Sequence, residues 1–278
     1  MNTSFDQEIE TGSFAPALSA LWPPVSVRVV DWNINRGLKL SGILEFLRGA
    51  SADLILLQEC DLNARRTHRI NIAQEIAREL EMNYVFGREF QELTQGSRDS
   101  PAYHGQSTLS RWPLSNARII KFKRQSSFWR PRWFLPDIEP LQERIGGRIA
   151  LVTAMNAGGR TIASYNFHLE SRGDDRLRCS QLDECLEDAR RYSAGVPLVL
   201  GGDFNMNVYR TGAAGAIKQA RFQSAFSGQA TTPGSLFERG RPIDWIFTRG
   251  PVRGECCRVH TSITASDHYP LSVQLELR

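Results

Sequence analysis

Short apolar runs, many rich in β-branched residues and several alternating with polar residues, recur along the chain and predict strands. Apolar residues at three- and four-residue spacing are fewer and predict helices near 41–49, 71–82, 174–192 and 212–220. No repeat, low-complexity tract or linker divides the chain after residue 24, so we expect one unit over 25–278, preceded by a flexible N-terminal leader over 1–24. The predicted strands lie near 25–33, 53–59, 83–90, 105–111, 116–121, 147–155, 160–168, 196–203, 242–247, 257–262 and 270–277.

Two of these strands adjoin loops rich in polar side chains. The strand over 196–203 continues into Gly201-Gly202-Asp203-Phe204-Asn205, and Ser266-Asp267-His268 precedes the last strand. On an extended backbone Asp203 and Asn205 face the same way, and the glycines allow the backbone to turn and approach a ligand. Taken alone, the first motif is equally typical of a strand that ends in a polar turn.

Four further predicted strands carry the same kind of side chain at or near an end. A single buried acid or histidine is usually a satisfied structural group, but six such strands are hard to explain by packing. Acid, amide and imidazole groups gathered in this way suit a divalent metal, a phosphate and an activated water. The additional side chains are Asn33 with Asn35, Gln58 with Glu59, His168 with Glu170, and Asp244.

In their order along the chain, these motifs resemble the endonuclease/exonuclease/phosphatase superfamily of metal-dependent phosphoesterases. That group includes DNase I, abasic-site endonucleases, sphingomyelinases and inositol-phosphate 5-phosphatases. The resemblance implies an α+β fold, the DNase I-like four-layer α/β/β/α sandwich of two packed, mainly antiparallel or mixed sheets with helices outside. The matching segments are Trp32-Asn33-Ile34-Asn35, Gln58-Glu59, Asn166-Phe167-His168-Leu169-Glu170, Gly202-Asp203-Phe204-Asn205, Ile243-Asp244-Trp245-Ile246 and Ser266-Asp267-His268.

The resemblance also implies a metal cofactor, Mg²⁺ or Mn²⁺, because hard oxygen ligands suit these ions. Glu59 corresponds to the principal metal carboxylate, Asn33 to an amide near the same ion and Asp267 to a further acid that lines it. The chain departs from several family nucleases at Asn35, where they have an acid.

The catalytic residues implied by the resemblance are His168, Asp203, Asn205, Asp244 and His268. Asp203 would orient or deprotonate the attacking water, and Asn205 would contact the phosphate or the transition state. Asp244 would pair with His268 and favour its charged form, so that the imidazole contacts the phosphate. His168 would donate a hydrogen bond to the phosphate or the leaving group, ordered by Glu170 or standing alone while Glu170 begins the next connection.

The activity expected from this set is hydrolysis of a phosphodiester by an activated water. Nucleic acid is favoured as the substrate over a lipid or an inositol phosphate. A catalytically inactive binding module is the third alternative, and the joint presence of all eight proposed site residues disfavours it. The stretch His168-Leu169-Glu170-Ser171 resembles tyrosyl-DNA phosphodiesterases of the second type, but four residues do not define a substrate.

Composition changes this picture little. The chain has 278 residues, 41% of them hydrophobic, and a formal net charge of +4, which suits an ordinary soluble enzyme. Five cysteines without a scaffold pattern indicate reduced thiols and a cytoplasmic location. No apolar stretch has the length of a membrane span, so we expect no membrane insertion. The sequence identifies no protein partner.

One segment, residues 118–136, combines six basic residues and five aromatic residues with no acid. Such a segment can follow a phosphate backbone while its rings stack on bases. It can also bind an anionic membrane surface, or its rings can pack on the core while its charges stay in solvent. These three interpretations are open at the level of sequence.

Overall fold

The computed structural model describes residues 8–16, 24–126, 144–224, 226–234 and 239–278. The helices are α1 (Leu40–Ala50), α2 (Ile72–Glu79), α3 (Asp175–Ala189) and α4 (Ala213–Gln219). The strands are β1 (Ile9–Ser13), β2 (Ser26–Arg36), β3 (Leu54–Leu62), β4 (Asn83–Glu92), β5 (Ala102–Ser110), β6 (Leu114–Lys121), β7 (Arg144–Gly146), β8 (Ile149–Ala157), β9 (Arg160–His168), β10 (Leu198–Asp203), β11 (Gln223–Ser224), β12 (Asp244–Arg249), β13 (Val252–Val259) and β14 (Leu271–Leu277).

The strands of the described ranges form two mixed sheets. The first has the order β1-β4-β5-β3-β2-β14-β13, with β7 also paired to β4, and the second has the order β11-β12-β10-β9-β8-β6. The pairs β2–β3 and β9–β10 are parallel. Helices α1 and α2 cover the outer face of the first sheet, and α3 and α4 cover the second. The predicted DNase I-like four-layer sandwich is therefore confirmed.

The alternation of side chains along β2 decides which residues face the second sheet. Val27 and Val29 pack in the core between the sheets, whereas Val30, Trp32 and Ile34 pack against α1 and α2. Because successive strand residues point to opposite faces, Asp31 and Asn33 face the second sheet. A strand that is apolar on both faces thus ends with polar groups between two sheets.

The two glycines that precede Asp203 in β10 are required because neighbouring atoms lie too close to the backbone there for a side chain. A Cβ on Gly201 would lie 2.8 Å from the Leu56 side chain of the opposite sheet. Gly202 has a φ of +144°, and a Cβ there would lie 1.9 Å from the carbonyl oxygen of Phe167 on β9. Without these glycines, β10 could not bring Asp203 against the first sheet and β9.

Three features differ from the elements predicted by sequence. Residues Ile9–Ser13, placed in the flexible leader, form β1, which pairs antiparallel with β4 at the sheet edge. Strand β1 was not among the predicted strands, because its pairing comes from β4 rather than from a local apolar pattern. Strands β7 and β11 are too short to show a periodic pattern. Residues 127–143, which include most of the basic and aromatic segment, lie outside the described residues.

The described helices include none that is long and apolar enough to cross a membrane.

Candidate active site

Polar side chains of both sheets meet at one edge of the sandwich. The carboxyl ends of the parallel pair β2–β3 and of the parallel pair β9–β10 lie there, together with the start of β12 and the loop before β14. Asn33 of β2 donates from Nδ2 to Asp203 Oδ2 of β10 over 3.2 Å, which joins the two sheets directly. The strand ends predicted to carry the chemistry therefore converge.

Asp203 is the centre of this cluster and is buried. Its Oδ1 accepts a hydrogen bond from the backbone N–H of Asn205 over 2.8 Å. Its Oδ2 lies 3.4 Å from Nε2 of His168 and 3.8 Å from Nε2 of His268. A single carboxylate oxygen thus faces an amide and two imidazoles.

His268 is held by Asp244, as the sequence predicted. Its Nδ1 lies 2.9 Å from each carboxylate oxygen of Asp244, and Asp244 is paired with Asp203 in the β10–β12 ladder. The backbone carbonyl of His268 accepts a hydrogen bond from Nε1 of Trp32 over 2.8 Å. These contacts fix both the ring orientation and the loop that carries it.

The two imidazoles that face Asp203 have opposite electrostatic environments. Burial alone would lower the pKa of His268, but the negative charges of Asp244 and Asp203 outweigh burial and raise it to about 10. The pKa of His168 is lowered well below its usual value by burial first and then by the positive charges of Arg148 and neighbouring groups. Near neutral pH, His268 is therefore charged and His168 is neutral.

The pKa of Asp203 is raised to about 7, first by burial and then by the negative charge of Asp244, while His268 and the Asn205 N–H act in the opposite direction. Two buried carboxylates close together do not easily ionise together. Asp203 is therefore a carboxyl group that titrates near neutrality, the range that suits a general base.

Glu59 reaches the same edge through a β-bulge. The β3–β5 ladder pairs Leu57 with Ser107 and then Cys60 with Gly105, so two residues of β3 oppose one residue of β5. Glu59 has a φ of +56°, and Leu57 and Cys60, three residues apart, pack in the same cluster under the helices. With strict alternation Glu59 would face that cluster as well, because it is two residues from Leu57. The bulge interrupts the alternation, so the Glu59 side chain does not have to face the cluster.

Positive charges surround Glu59. Burial would raise the pKa of its carboxyl group, but His104, Arg148 and other positive groups outweigh burial and lower it. Glu59 is therefore ionised at neutral pH, although no described hydrogen bond joins it to Asn33 or Asp267.

The sequence model of the Endonuclease/Exonuclease/phosphatase family matches residues 32–268 of this chain. The matched region includes all of these strand ends. The chain belongs to the endonuclease/exonuclease/phosphatase family. Members of this family are hydrolytic phosphoesterases and generally use divalent metal ions. Among curated proteins, no match to the chain is found.

Solved structures of this family share the fold. A family protein from Beutenbergia cavernae matches 91% of this chain and 72% of its own with a TM-score of 0.66 and 17% identity. A family protein from Bacteroides vulgatus matches 92% of this chain and 100% of its own with a TM-score of 0.65 and 17% identity. TDP2 from D. rerio, complexed with a single-strand DNA product, matches 91% and 99% with a TM-score of 0.59 and 14% identity. At these identities the likeness concerns the fold.

The donor atoms present fit the divalent ion that the endonuclease/exonuclease/phosphatase family generally uses. Asn33 supplies an amide oxygen, Glu59 an ionised carboxylate and Asp267 an exposed carboxylate, and hard oxygen donors suit Mg²⁺ or Mn²⁺. Ser266 Oγ lies 2.7 Å from the backbone oxygen of Asn33 and 3.2 Å from Asp267 Oδ1, which places Asp267 beside β2. Within the described residues, donor atoms of Asp203, Asp244 and His268 also lie within 4.8 Å of one another.

The structure corrects the predicted geometry of Asn205. Its φ is +52°, so the backbone leaves the extended conformation directly after β10, and its side chain does not lie parallel to that of Asp203. Nδ2 of Asn205 donates to the carbonyl oxygen of Leu169 over 3.1 Å. The alternation rule fails because it holds only while the strand continues.

Glu170 also differs from the expectation that it orders His168. Its buried carboxylate accepts hydrogen bonds from the backbone N–H groups of Ser126 and Arg172. Nδ1 of His168 has no hydrogen-bond partner in the described part of the chain. Glu170 therefore stabilises the connection after β9 rather than the imidazole.

Sequence reasoning missed a buried polar layer behind the site. Gln58 donates from Nε2 to Asp31 Oδ1 over 2.9 Å and to Asn166 Oδ1 over 2.8 Å, and Asn166 in turn donates to two carbonyl oxygens of the first sheet. Burial raises the pKa of Asp31 well above its usual value, aided by the negative charge of Asp244. The available signal was position, since Asp31 precedes Asn33 by two residues and must share its face.

Proposed function

We propose that this protein is a Mg²⁺- or Mn²⁺-dependent phosphodiesterase that cleaves nucleic acid by an activated water. One observation carries the proposal: the buried carboxylate Asp203 stands between His168, which is neutral, and His268, which is charged. A packing role alone does not require two imidazoles in opposite charge states around a carboxyl group that titrates near pH 7.

Asn33, Glu59 and Asp267 would hold the metal ion in this proposal. A bound divalent cation would offset the negative charge of the phosphate and help to polarise it. Glu59 is suited to this role because the surrounding positive charges keep it ionised without a competing hydrogen bond among the described contacts. The amide of Asn33 would link this ligand set to Asp203, to which its Nδ2 already donates.

Asp203 would orient the attacking water and accept its proton. The backbone N–H of Asn205 fixes one of its carboxylate oxygens, so the other oxygen is directed toward the imidazoles. Because the pKa of Asp203 lies near 7, the group is partly ionised at neutral pH and can still release the proton that it accepts. Asn205 would contribute mainly by fixing Asp203, and its side chain would contact the phosphate only after leaving Leu169.

His268 would stabilise the negative charge that develops on the phosphate, since Asp244 keeps it protonated and holds its ring. His168 would donate a hydrogen bond to a phosphate oxygen or to the leaving group as a neutral ring. The different charges assign the two histidines different tasks, although both face the same carboxylate.

Nucleic acid is the proposed substrate class for two reasons. A structural neighbour, TDP2 from D. rerio, carries a single-strand DNA product in its complex. The chain has a formal net charge of +4, and Lys123 and Arg124 are exposed next to the connection that leads toward β7. A lipid or inositol-phosphate ester is the alternative that the same metal chemistry would serve.

A substrate panel tests the proposal. Mg²⁺-supported hydrolysis would be measured on single- and double-stranded DNA, RNA, 5′-tyrosyl DNA, sphingomyelin and inositol phosphates. Asp203→Asn is the inactive control. His260→Gln is the matched control, because His260 bonds Ser272 Oγ over 2.8 Å and packs on Phe46 rather than joining the site. We expect nucleic-acid cleavage by the native protein and by His260→Gln. If the protein cleaves only sphingomyelin or inositol phosphates, the substrate class is a lipid or inositol phosphate and not nucleic acid. If it hydrolyses none of these esters, the proposal is refuted.

A further inference from the structure

Thr231 lies where the two segments that carry the Asp244–His268 pair come together. It is a buried residue of the connection between β11 and β12, and its position drew no attention in the sequence. Its hydroxyl group bonds to the backbone of Asp244, and its carbonyl oxygen bonds to the backbone directly after His268. One residue therefore contacts the backbone on both sides of the pair.

The hydroxyl group of Thr231 holds the start of β12. Its Oγ1 accepts hydrogen bonds from the backbone N–H groups of Ile243 and Asp244, each over 3.1 Å, and donates to the carbonyl oxygen of Arg241 over 3.1 Å. A threonine hydroxyl has one donor and two acceptor positions, so these three bonds use all of them. The backbone of Asp244 is thereby tied to a side chain in addition to its place in the β10–β12 ladder.

The peptide unit between His268 and Tyr269 is also held through Thr231. The N–H of Tyr269 donates to the carbonyl oxygen of Thr231 over 2.6 Å. The carbonyl oxygen of the same peptide unit, that of His268, accepts a hydrogen bond from Nε1 of Trp32 over 2.8 Å. The N–H and C=O groups of a trans peptide point in opposite directions, so Thr231 and Trp32 hold this unit from opposite sides.

Thr231 is itself fixed against the residues that precede β12. Its backbone N–H donates to the carbonyl oxygen of Arg241 over 2.9 Å, and the N–H of Arg241 donates to Oγ1 of Thr232 over 2.9 Å. A Cβ on Gly240 would lie 2.2 Å from the carbonyl oxygen of Thr232, so the two segments pack closely. Because of these bonds, Thr231 can act as a fixed support for Asp244.

We propose that Thr231 is a positioning residue of the Asp244–His268 pair, which sets the separation of carboxylate and imidazole by holding the backbone of both partners. Nδ1 of His268 lies 2.9 Å from each oxygen of Asp244, and a shift of either backbone would lengthen these contacts. A displacement of about 1 Å can cost roughly a hundredfold in rate. The inference rests on the proposed function for the role of His268 in hydrolysis, whereas the positioning itself is a property of the protein without substrate.

Two substitutions at Thr231 isolate its hydroxyl group. Thr231→Val keeps the volume of the side chain and removes the hydroxyl, and Thr231→Ser keeps the hydroxyl and removes the methyl group. Both leave the backbone bond to Tyr269 in place, so they test the contact with Asp244. Thr153→Val is the matched control, because Thr153 is equally buried and its Oγ1 lies 2.8 Å from Oγ of Ser164 within the β8–β9 ladder.

The proton on Nδ1 of His268 reports the geometry of the pair in the absence of substrate. A proton that a buried imidazole donates to a carboxylate exchanges slowly with solvent and gives a low-field NMR resonance, which His268→Gln identifies by its loss. We expect Thr231→Val to shift or broaden this resonance, and we expect Thr231→Ser and Thr153→Val to keep it. If Thr231→Val does not fold, Thr231→Ala replaces it with the same expected change.

Turnover then tests whether Thr231 acts through Asp244. Thr231→Val should lower kcat by up to roughly a hundredfold with little change in KM, and Thr231→Ser should recover most of the lost turnover. In Asp244→Ala the carboxylate that Thr231 positions is absent. Addition of Thr231→Val to that variant should therefore lower kcat little further, as expected for coupled residues.

A native Nδ1–H resonance in folded Thr231→Val or Thr231→Ala would overturn the inference and leave Thr231 a purely structural residue. An equal loss of kcat in the native and Asp244→Ala backgrounds would also overturn it, because Thr231 would then act independently of Asp244. A native protein that hydrolyses no ester would refute the proposed function alone, since the resonance still decides whether Thr231 positions the pair.

Discussion

Nδ1 of His268 lies 2.9 Å from both carboxylate oxygens of Asp244, and its Nε2 lies 3.8 Å from Oδ2 of Asp203. The imidazole is therefore placed between two buried acids, one of which holds it and one of which it faces. This arrangement favours the charged ring and separates the roles of the two acids, since Asp244 is committed to the ring and Asp203 is shared with Asn33 and His168.

The activity should follow a bell-shaped dependence on pH. Asp203 must be ionised to accept a proton, so the rate should rise as pH increases through about 7. His268 must be protonated to stabilise negative charge, so the rate should fall as pH increases through about 10. Asp244→Asn removes the main charge that raises the pKa of His268, so the alkaline limb should move to lower pH. Turnover rates with chemistry rate-limiting give both limbs, and an unmoved alkaline limb in the variant would remove His268 from this role.

Asp203→Asn should reduce turnover far more than substrate binding. The amide keeps the volume of the side chain but cannot accept the proton of the water, and loss of a general base costs roughly a hundredfold or more. Because Asp203 is a buried acid with a raised pKa, its neutral replacement should leave the thermal unfolding temperature unchanged or higher at pH 8. Separate measurement of kcat and KM tests the role. A change confined to KM would make Asp203 a binding group.

Removal of the metal should abolish hydrolysis, and Mg²⁺ or Mn²⁺ should restore it. Glu59→Gln keeps the shape of the side chain and removes its charge, so it should weaken Mn²⁺ binding by more than the roughly 10–100-fold typical of an outer partner. Calorimetric titration with Mn²⁺ measures this, and exposed Glu187→Gln on α3 is the control. Full activity after exhaustive chelation would contradict metal dependence.

Gly202→Ala should destabilise the fold and the site together. The φ of +144° strains any other residue, and the new Cβ would meet the Phe167 carbonyl oxygen at 1.9 Å, so we expect a loss of at least roughly 1–3 kcal/mol. Gly49→Ala, in an open position of α1, should instead stabilise by up to about 1 kcal/mol. Denaturant unfolding of both variants tests the contrast, and similar stabilities would show that β10 tolerates a side chain at position 202.

Two exposed bases in the described part of the basic and aromatic segment should contribute to nucleic-acid binding. Lys123→Gln with Arg124→Gln should lower affinity and reduce the slope of log affinity against log salt by about 1 for each lost phosphate contact. Arg190→Gln, exposed directly after the end of α3, is the control. Fluorescence anisotropy with single-stranded DNA at several salt concentrations gives the slope, and an unchanged slope would place the nucleic-acid path elsewhere.

The polar groups of the site could be found from sequence because each follows or begins an apolar strand. Asn33, Glu59, His168, Asp203, Asp244 and His268 were all identified as candidates, and the structure places them at one edge of the sandwich. Their order also identified the family and, through it, the fold. These features are encoded locally. The apolar pattern predicts each strand, and the polar residues at its end indicate which chemical groups the site can contain.

Tertiary structure decided what the local pattern could not contain. The bulge at Glu59 depends on pairing with β5, and β1 depends on pairing with β4. The opposite charge states of His168 and His268 depend on which groups the second sheet and the loops bring within a few ångströms of each ring. Thr231 bonds the backbone of Asp244 and that of the residue after His268 only because the fold brings these segments together. A sequence alone determines the residue types and their strands, but burial and neighbouring charges set protonation and orientation, and both arise only when the sheets pack.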